Sequence, residues 1–421
     1  MTSSCLDTTS DDLLPPPPTG WQTRVRAGGA AILFRHALAR LPLRVEFPDG
    51  SVLGAGSRQE PLPRMIIRDA EAFYARLGQH GLIGFGESYT AGEWTATDPA
   101  AVLTVLAAQL PRLIPGALQR FRSLLPRPPA GEIGTAAQAR SNIEHHYDLS
   151  NELFQLFLDE TLTYSSALFT APELAGGRAR WEHLARAQQR KIDRLLDAAG
   201  VGPGTQLLEI GTGWGELALR AAARGARVHT VTLSARQLTL ARARAAGYGE
   251  QVRVELCDYR DVRGEFDAIV SVEMIEAVGF RHWPAYFECL DRLLAPGGRV
   301  AIQAITMPDD RMRASRHTYT WIQKYIFPGG FLPSTEAIET TAARYTRLRV
   351  RERAGFGPHY AETLRLWRER FDSRAAEVGA LGFDARFRRL WQFYLAYSEA
   401  GFRSGYLDVQ HIVLDRTEEH P

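Results

Sequence analysis

A turn with glycines at three alternate positions, Gly211, Gly213 and Gly215, is the feature that most constrains the fold of this chain. An apolar, strand-like segment at 205–208 precedes the turn, and a helix-like segment follows it. Glycines between a strand and a helix let the backbone approach a ligand closely and direct the amides of the helix end toward it. A dinucleotide-binding turn would need glycine at the position of Glu216. The spacing therefore predicts a different nucleotide-type ligand on a Rossmann-like sheet.

The next strand-like segment, Arg227–Thr232, supports this distinction. A dinucleotide enzyme usually has an acidic residue near the end of this strand for the ribose hydroxyls. Here the strand ends at Thr232, and Ser234 and Gln237 follow. Together with the E-x-G-x-G-x-G run that begins at Glu209, this block resembles motif I and its sequel in class I methyltransferases that use S-adenosylmethionine. Another kind of nucleotide site is the alternative.

Composition narrows the class of protein. The formal net charge of +2 gives no reason to expect a nucleic-acid partner. The three cysteines, Cys5, Cys257 and Cys289, are too few and too scattered for a disulfide framework or a zinc site, which favours a reduced, cytoplasmic protein. His145 and His146 lack further metal ligands at useful spacing, so we predict pocket or structural histidines and no metal site.

The order of segments predicts two domains. Proline and glycine are concentrated at 126–134 and mark the boundary between them. No apolar stretch is long enough to span a membrane, so any lipid contact must be peripheral. We predict a disordered tail at 1–20, an N-terminal lipid-contact domain at 21–128, a linker at 129–134 and a catalytic domain at 135–421.

Strand-like and helix-like segments alternate in the second domain, which predicts an α/β fold with a mostly parallel sheet and helices on both faces. The smaller first domain is expected to be α+β. Two long insertions, at 307–334 and 358–405, are expected to build the substrate pocket. The predicted strands are Gln206–Ile210, Val228–Thr232, Val252–Leu256, Phe266–Ser271, Arg299–Ile305 and, at the C-terminus, Tyr406–Leu414.

Further segments resemble the cyclopropane-fatty-acyl-phospholipid synthase and mycolic-acid methyltransferase family. The resemblance implies a class I methyltransferase that acts on the double bond of an unsaturated acyl chain of a phospholipid at the membrane surface. It also implies lipid contact, and dimer formation as a further option, through the first domain. The segments that carry it are 84–89, 92–94, 145–151, 163–166, 272–279, 321–330 and 394–402.

Methylation of an isolated alkene would create a carbocation that water traps, so such a site must be dry and rich in aromatic rings. Each cation–π contact contributes about 0.5 to 2 kcal/mol when it is desolvated. Each aromatic residue taken singly is as well explained by core packing. The candidates within the matched segments are Tyr164, Trp321, Tyr325, Phe327, Trp391 and Tyr394.

The resemblance also implies a bicarbonate ion that removes a proton from the cation. Glu276 and Tyr325 fall on the family's glutamate and tyrosine positions for this ion. The family's histidine is replaced by Gln303, and its two active-site cysteines are replaced by Ser166 and Ser398. Serine and glutamine can hydrogen-bond an anion but supply no thiolate or imidazole, which leaves bicarbonate binding open. A helix-capping role is the alternative for Glu276. The glutamate at residue 399 is either a substitute base or an exposed side chain.

For S-adenosylmethionine, the resemblance implies contacts along the whole ligand. The methionine end, the ribose and the adenine each correspond to a different loop of the sheet. The implied residues are Tyr164 and Ser165 at the methionine end, Glu209, Gly211, Gly213 and Gly215 in the turn, Thr232 and Gln237 near the ribose, and Asp258 and Tyr259 near the adenine.

The departures at the active site, with the segments 275–279 and 397–406, resemble the branch of the family that forms tuberculostearic (10-methylstearic) acid. This resemblance implies a 10-methylene product that a separate flavin-linked reductase saturates. A cyclopropane product is the alternative, followed by a small-molecule N- or O-methyltransferase and a non-catalytic lipid-binding protein. A basic amphipathic segment at 117–127 suits anionic headgroups, although a helix packed on its own domain explains it equally well.

Overall fold

The computed structural model describes residues 14–54, 62–113, 150–316 and 318–416. Several sequence-based predictions fall elsewhere in the chain. The amphipathic segment at 117–127, the linker at 129–134, His145, His146 and residues 1–13 of the predicted tail all lie outside the described residues.

The chain forms two compact units that do not follow a single boundary. The first unit contains the described residues of the range 1–126 together with Tyr319–Lys324 and Arg368–Ser404. The second contains those of 127–318, 325–367 and 405–421. The sequence predicts contiguous domains, whereas two later segments belong to the first unit because their aromatic side chains pack there. The rings of Trp321 and Phe393, for example, have centroids 4.7 Å apart.

The first unit combines a small mixed sheet with helices. The carboxylate of Asp69 accepts a hydrogen bond from the amide of Ala72 at 3.0 Å and caps the second helix. The strands are β1 (Arg44–Glu46), β2 (Val52–Leu53), β3 (Arg64–Ile67) and β4 (Trp94–Ala96), in the order β2-β1-β3-β4. The helices are Trp21–Leu38, Ala70–His80, Leu82–Ala91, Pro99–Leu113, Ala375–Ala380 and Ala385–Arg403.

The second unit is built on a seven-stranded sheet in the order β10-β11-β9-β8-β5-β6-β7. The five strands from β9 to β7 are parallel, and β11 and β10 are antiparallel. This arrangement confirms the predicted α/β fold. The strands are β5 (Gln206–Ile210), β6 (Arg227–Thr232), β7 (Val252–Leu256), β8 (Phe266–Val272), β9 (Leu294–Thr306), β10 (Leu348–Gly355) and β11 (Asp408–Arg416).

The five predicted parallel strands and the C-terminal strand are present, but β10 is not among the predicted strands. Its sequence, LRVRERAG, alternates arginine with other residues, and only Leu348 is buried. An edge strand that buries one residue lacks the apolar periodicity by which strands are recognised in sequence.

Helices cover both faces of this sheet. On β5, Leu207 packs on one face, in a cluster with Ala218, while Leu208 packs on the other, in a cluster with Phe287. Within the described ranges, no helix combines the length and the apolarity needed to cross a membrane. The helices with residues in this unit are Asn151–Phe157, Leu184–Ala198, Glu216–Ala223, Ala235–Ala245, Ile275–Val278, Trp283–Leu293, Asp309–Ser315, Trp321–Tyr325, Thr335–Tyr345 and Gly357–Ser373. Because both faces are covered, the carboxyl ends of the parallel strands are left for a ligand.

Candidate active site

The glycine turn lies at the carboxyl end of β5, and all three of its glycines have positive φ: +97° at Gly211, +52° at Gly213 and +95° at Gly215. A Cβ on Gly211 would stand 2.8 Å from the side chain of Met274. A Cβ on Gly213 would meet nothing within 4 Å. Gly211 is therefore required by both backbone conformation and packing, whereas Gly213 faces space into which a ligand can fit.

Glu209 supports the turn from beneath. Its side chain is buried, and the Thr230 hydroxyl donates a hydrogen bond to it at 2.6 Å. The hydroxyls of Thr230 and Thr212 are 2.7 Å apart. Burial raises the pKa of Glu209 to about 8, although Thr230 and Lys191 oppose the shift. These bonds tie β6 to the turn, which is consistent with the predicted donor-site role of Glu209.

The residues predicted near the ribose lie directly after β6. The Thr232 hydroxyl donates a hydrogen bond to the side-chain oxygen of Gln237 at 2.8 Å, and both residues are buried. The Ser234 hydroxyl accepts a bond from the Gln237 amide at 3.2 Å and caps the helix that follows. A buried neutral pair therefore stands at the position where a dinucleotide enzyme has a carboxylate.

Asp258 follows β7, where the adenine is predicted. Its carboxylate accepts three hydrogen bonds from Arg260, from the backbone amide at 3.0 Å and from the guanidinium at 2.8 and 2.6 Å. The ring of Tyr259 meets that of Tyr286 edge-on at 5.7 Å, and burial raises the pKa of Tyr259. A ligand at this position must share Asp258 with Arg260.

An aromatic cluster connects the segment around Tyr164 to the glycine turn. The Tyr164 ring lies 5.1 Å from that of Phe154 and 5.3 Å from that of Trp367. Phe154 in turn lies 5.0 Å from Trp214, the aromatic residue of the turn. The hydroxyl of the next residue, Ser165, accepts a hydrogen bond from the buried Lys191 ammonium at 2.6 Å. The predicted methionine-end residues are thus held beside the turn.

A second carboxylate, Glu273, is the centre of a hydrogen-bond network at the carboxyl end of β8. Its Oε1 accepts bonds from the backbone amide of Ser166 at 3.0 Å and from the amide nitrogen of Gln303 at 2.7 Å. Its Oε2 accepts a bond from the Tyr360 hydroxyl at 2.6 Å. Burial of the carboxylate raises the pKa of Glu273, and the three donors oppose the rise. The sequence alone assigns no role to Glu273 or Tyr360, although Glu273 lies within 272–279, one of the segments that carry the family resemblance.

Two strands orient Gln303. His411 on β11 stands opposite Gln303 on β9 in the sheet register, and its Nε2 is 2.9 Å from the side-chain oxygen of Gln303. Burial lowers the pKa of His411 well below its usual value, so the ring is neutral. Neutral His411 donates a hydrogen bond from Nε2 to the side-chain oxygen of Gln303. The amide nitrogen of Gln303 is thereby oriented toward Glu273.

Glu276 lies three residues after Glu273, in the helix Ile275–Val278, and is buried. Its Oε1 accepts a bond from the Ile305 amide at 2.5 Å, whereas its Oε2 is buried and has no hydrogen-bond partner among the described residues. Burial, and then the neighbouring charge of Glu273, raise the pKa of Glu276 to about 8. The carboxyl group bonds to a strand amide and does not cap a helix, and it retains one oxygen for a ligand.

Three further predicted site residues are Tyr325, Ser166 and Ser398. Tyr325 is half-buried, and Tyr360 is the tyrosine that donates to Glu273. The Ser166 hydroxyl donates to the carbonyl of Ala167 at 3.1 Å, so this residue reaches the network through its backbone. Ser398 is half-buried in the first unit.

The expectation that residue 399 is an exposed glutamate is wrong. Its carboxylate is fully buried in the first unit and accepts a hydrogen bond from Arg368 at 2.8 Å. The helix Ala385–Arg403 turns this side chain inward beside the guanidinium. The predicted aromatic set is also divided: Trp321, Trp391 and Tyr394 belong to the first unit, and Tyr164, Tyr325 and Phe327 belong to the second.

Within the part of the chain that the structure describes, no group of histidine, cysteine, aspartate or glutamate side chains is arranged to hold a metal ion. Cys257 and Cys289 are free thiols, and burial raises the pKa of both. The carboxylates, amide and tyrosine described above are therefore the groups available for chemistry at the end of β8.

Known proteins are similar to this chain in sequence and in fold. The family model for mycolic acid cyclopropane synthetase matches residues 135–412. The chain is 56% identical over 402 residues to the tuberculostearic acid methyltransferase UfaA1 of Mycobacterium tuberculosis, covering 95% of this chain and 93% of that protein. It is 33% identical to the cyclopropane-fatty-acyl-phospholipid synthase of Escherichia coli, covering 83% of this chain and 87% of that protein.

Solved structures of related enzymes are also similar to this chain. Mycolic acid cyclopropane synthase CmaA1, in a complex with SAH and CTAB, has a TM-score of 0.59 at 30% identity and covers 67% of this chain and 99% of its own. The cyclopropane synthase MmaA2 of Mycobacterium tuberculosis has the same TM-score at 31% identity, covering 65% of this chain and 97% of its own. These matches confirm the class I fold, the enzyme class and the methyl donor S-adenosylmethionine that the glycine turn predicts. The chain belongs to the mycolic acid cyclopropane synthetase family.

Proposed function

We propose that this enzyme transfers a methyl carbon from S-adenosylmethionine to the double bond of an unsaturated acyl chain of a phospholipid, and that it forms a 10-methylene branch. The observation that carries the proposal is the 56% identity to a tuberculostearic acid methyltransferase over 95% of the chain. The similarity includes both units, so it extends beyond the methyl-donor site to the parts that select an acceptor.

The residues around the glycine turn fit the methyl donor. Gly213 leaves open space above the turn, Thr232 and Gln237 stand at the ribose position, and Tyr164 is held beside the turn. When bound, S-adenosylmethionine supplies an electrophilic methyl group, and its transfer to an alkene leaves a carbocation on the acyl chain. The aromatic cluster around Tyr164 excludes water and offers ring faces to a cation, at about 0.5 to 2 kcal/mol for each contact.

Proton loss completes the reaction. Glu273 and Glu276 are two carboxyl groups at the carboxyl end of β8, the edge of the sheet where ligands bind in such folds. The raised pKa of Glu276, about 8, makes this group a proton donor or acceptor near neutral pH. A hydride shift to the first cationic carbon, followed by loss of a proton from the new methyl group, gives the methylene branch, whereas loss of that proton without the shift closes a cyclopropane ring.

A phospholipid substrate requires contact with a membrane surface, for which the first unit offers the helix Trp21–Leu38. Four apolar side chains on this helix are exposed, Trp21 by 70%, Val25 by 68%, Ile32 by 72% and Leu33 by 51%. Trp21, Val25 and Ile32 follow helical spacing and form one stripe. We expect this stripe to enter the interface of an anionic bilayer from the cytoplasmic side. Dimerisation and a separate reductase that saturates the methylene group belong to the same proposal.

Lipid analysis tests the product. The purified enzyme, given S-adenosylmethionine and vesicles of dioleoyl phosphatidylglycerol, should add the mass of one CH2 to oleoyl chains and produce exo-methylene signals in proton NMR. Cyclopropyl signals in their place would establish ring closure. No change in acyl mass, together with methylation of a small amine or alcohol, would contradict a lipid acceptor. Failure to bind S-adenosylmethionine in calorimetry would instead indicate a non-catalytic lipid-binding protein.

The variant Ile32→Asp tests whether the exposed stripe of Trp21, Val25 and Ile32 contacts the membrane. It should reduce co-sedimentation with the same vesicles and leave S-adenosylmethionine binding unchanged. Unaltered co-sedimentation would exclude the helix as the membrane contact.

A further inference from the structure

We propose that the carboxylate of Glu273 is the base that receives the substrate proton, and that it occupies the position where the family resemblance implies bicarbonate. The inference deepens the proposed function and rests on it. It assigns a catalytic role to a residue of this chain and excludes a dissociable anion from the site.

Two of the positions that would contact a bicarbonate ion already donate to a carboxylate of the chain. Ser166 and Gln303 are two of the positions at which the resemblance implies contacts to the ion, and both donate to Oε1 of Glu273, at 3.0 and 2.7 Å. The Tyr360 hydroxyl donates to Oε2 at 2.6 Å. Three donors from separate parts of the second unit thus surround a carboxylate that is covalently part of the chain. A second anion at the same place would lack donors and would be repelled by Glu273, so bicarbonate does not fit these residues.

The backbone at Glu273 is held in a costly conformation. Among the described residues, Leu162 and Glu273 are the non-glycine positions with positive φ, which is +50° at Glu273. A side chain with a Cβ is disfavoured there, and glycine is the residue that adopts this conformation readily. Surrounding structure must therefore hold Glu273 in place, and the three hydrogen bonds to its carboxylate do so. Strain of this kind persists where a function requires it.

The carboxylate retains the capacity to take a proton. Its two oxygens can accept about four hydrogen bonds, and three are made by the donors named above. The remaining position is on Oε2, and the residue as a whole is half-buried. The adjacent Met274 side chain abuts Gly211 of the turn, which places Glu273 next to the methyl-donor site.

The two carboxyl groups have different surroundings. Glu273 accepts three hydrogen bonds from neutral donors, which favour its ionised form. Glu276 accepts one from Ile305, and its Oε2 has no partner within the described residues. Glu273 is therefore the ionised base, and Glu276 is the protonated neighbour that can donate a hydrogen bond.

The proton-transfer step balances without another reactant. The methyl group joins one alkene carbon and leaves the cation on the other. A hydride then shifts from the methylated carbon to its neighbour, which moves the cation to the methylated carbon. A C–H bond of the methyl group breaks, and its electron pair forms the C=CH2 double bond at this carbon. The proton forms an O–H bond with Oε2 of Glu273 and later passes to solvent. S-adenosylhomocysteine leaves with the electron pair of the broken S–C bond.

Three variants distinguish Glu273 from bicarbonate. Glu273→Gln keeps the shape of the side chain and removes the base. Glu273→Gly suits the positive φ, removes the carboxylate and frees the three donors. Glu265→Gln is the matched control, because Glu265 is exposed. All are assayed with dioleoyl phosphatidylglycerol vesicles in buffer freed of carbon dioxide, with and without added bicarbonate, and S-adenosylmethionine binding and urea unfolding are measured for each.

We expect wild type and Glu265→Gln to be equally active with and without bicarbonate. Glu273→Gln and Glu273→Gly should lose at least roughly a hundredfold in rate, the scale of a positioned acid–base group. Added bicarbonate should restore at least roughly tenfold to Glu273→Gly, because the freed donors can hold it, and nothing to Glu273→Gln. Both variants should bind S-adenosylmethionine as the wild type does.

Two results would overturn the inference: wild-type activity that depends on bicarbonate, or near-normal turnover in Glu273→Gln. Each is distinct from failure of the proposed function, in which the wild type itself methylates no acyl chain. Loss of S-adenosylmethionine binding or of cooperative unfolding in both variants would also count against the inference, since it would assign Glu273 a structural role.

Discussion

The buried glutamates of the first unit and the two glutamates at the carboxyl end of β8 have different partners. In the first unit, each buried glutamate has a cationic partner: Glu93 is 2.7 Å from Arg76, Glu87 is 2.6 Å from Lys324, and Glu399 is 2.8 Å from Arg368. In the second unit, Glu273 and Glu276 form no ion pair with any described residue, and their hydrogen-bond donors are neutral.

The two kinds of surroundings suit a glutamate to different roles, one in stability and one in acid–base chemistry. An ion-paired carboxylate is held at fixed charge, and loss of its partner leaves a buried charge that destabilises the fold. A carboxyl group with neutral donors can gain and lose a proton at small cost, which suits acid–base chemistry. At the end of β8, burial raises the pKa values of Glu273 and Glu276, and no salt bridge to a described residue opposes the rise.

The largest expected effect is on stability in the first unit. Arg368→Leu removes the buried guanidinium partner of Glu399 and leaves the more exposed Arg403, at 2.8 Å, as its described cationic partner. It should lower the free energy of unfolding by roughly 3 kcal/mol in urea titrations. Arg351→Leu is the matched control: Arg351 pairs with Asp415 at 2.6 Å but is half exposed, so the loss should be below about 1 kcal/mol. The double variant Arg368→Leu with Glu399→Leu should recover much of the loss. Equal losses of unfolding free energy in Arg368→Leu and Arg351→Leu would contradict the expected difference between a buried and an exposed ion pair.

The next effect is on turnover in the second unit. Glu276→Gln should lower the rate by at least roughly a hundredfold, since it removes the exchangeable proton beside Glu273. The same change should leave the free energy of unfolding unchanged or raised, because it removes an ionisable group from a buried site. Single-turnover lipid methylation and urea unfolding measure the two quantities. Near-normal turnover would remove Glu276 from the mechanism.

A third effect concerns pH. The folded-state pKa of Glu276, about 8, lies above the value near 4.5 of an ordinary glutamate. The folded state then holds a proton that the unfolded state releases, so this contribution is fully present below pH 4.5 and is lost as pH rises toward 8. The stability of wild type relative to Glu276→Gln should therefore fall between pH 5.5 and 8, by roughly 3 kcal/mol. A difference that does not change with pH would show that Glu276 titrates normally.

The smallest effect is expected at the glycine turn. Gly213→Ala introduces a Cβ at a φ of +52° and into the space left for the ligand. It should weaken S-adenosylmethionine binding by roughly tenfold in calorimetry and lower stability by about 1 kcal/mol. Gly297→Ala is a control with a positive φ of +73° and open space, in β9, and should affect stability alone. Unchanged binding in Gly213→Ala would remove the turn from the donor site.

The two regions also differ in how far the sequence predicts them. The glycine turn, the flanking strand and helix and the polar residues after β6 lie within a few tens of residues, and their spacing alone indicates the fold class and the methyl donor. The network around Glu273 joins Ser166, Gln303 and Tyr360, which lie 107, 30 and 87 residues away. No local pattern indicates these contacts, and the sequence alone assigned no role to Glu273 or Tyr360. Of the two alternatives for residue 399, a substitute base or an exposed side chain, the exposed side chain is wrong.

What the sequence determined by itself was the α/β sheet, the donor turn and the position of Glu276, because periodicity and glycine spacing are local properties of the backbone. Only the tertiary structure decided which groups surround the second carboxylate. Opposed strands bring His411 to Gln303, the segment before the first parallel strand brings Ser166, and the helix after β10 brings Tyr360. Hydrogen bonds between such distant residues form only when the sheet is assembled, so the acid–base site is a product of the fold.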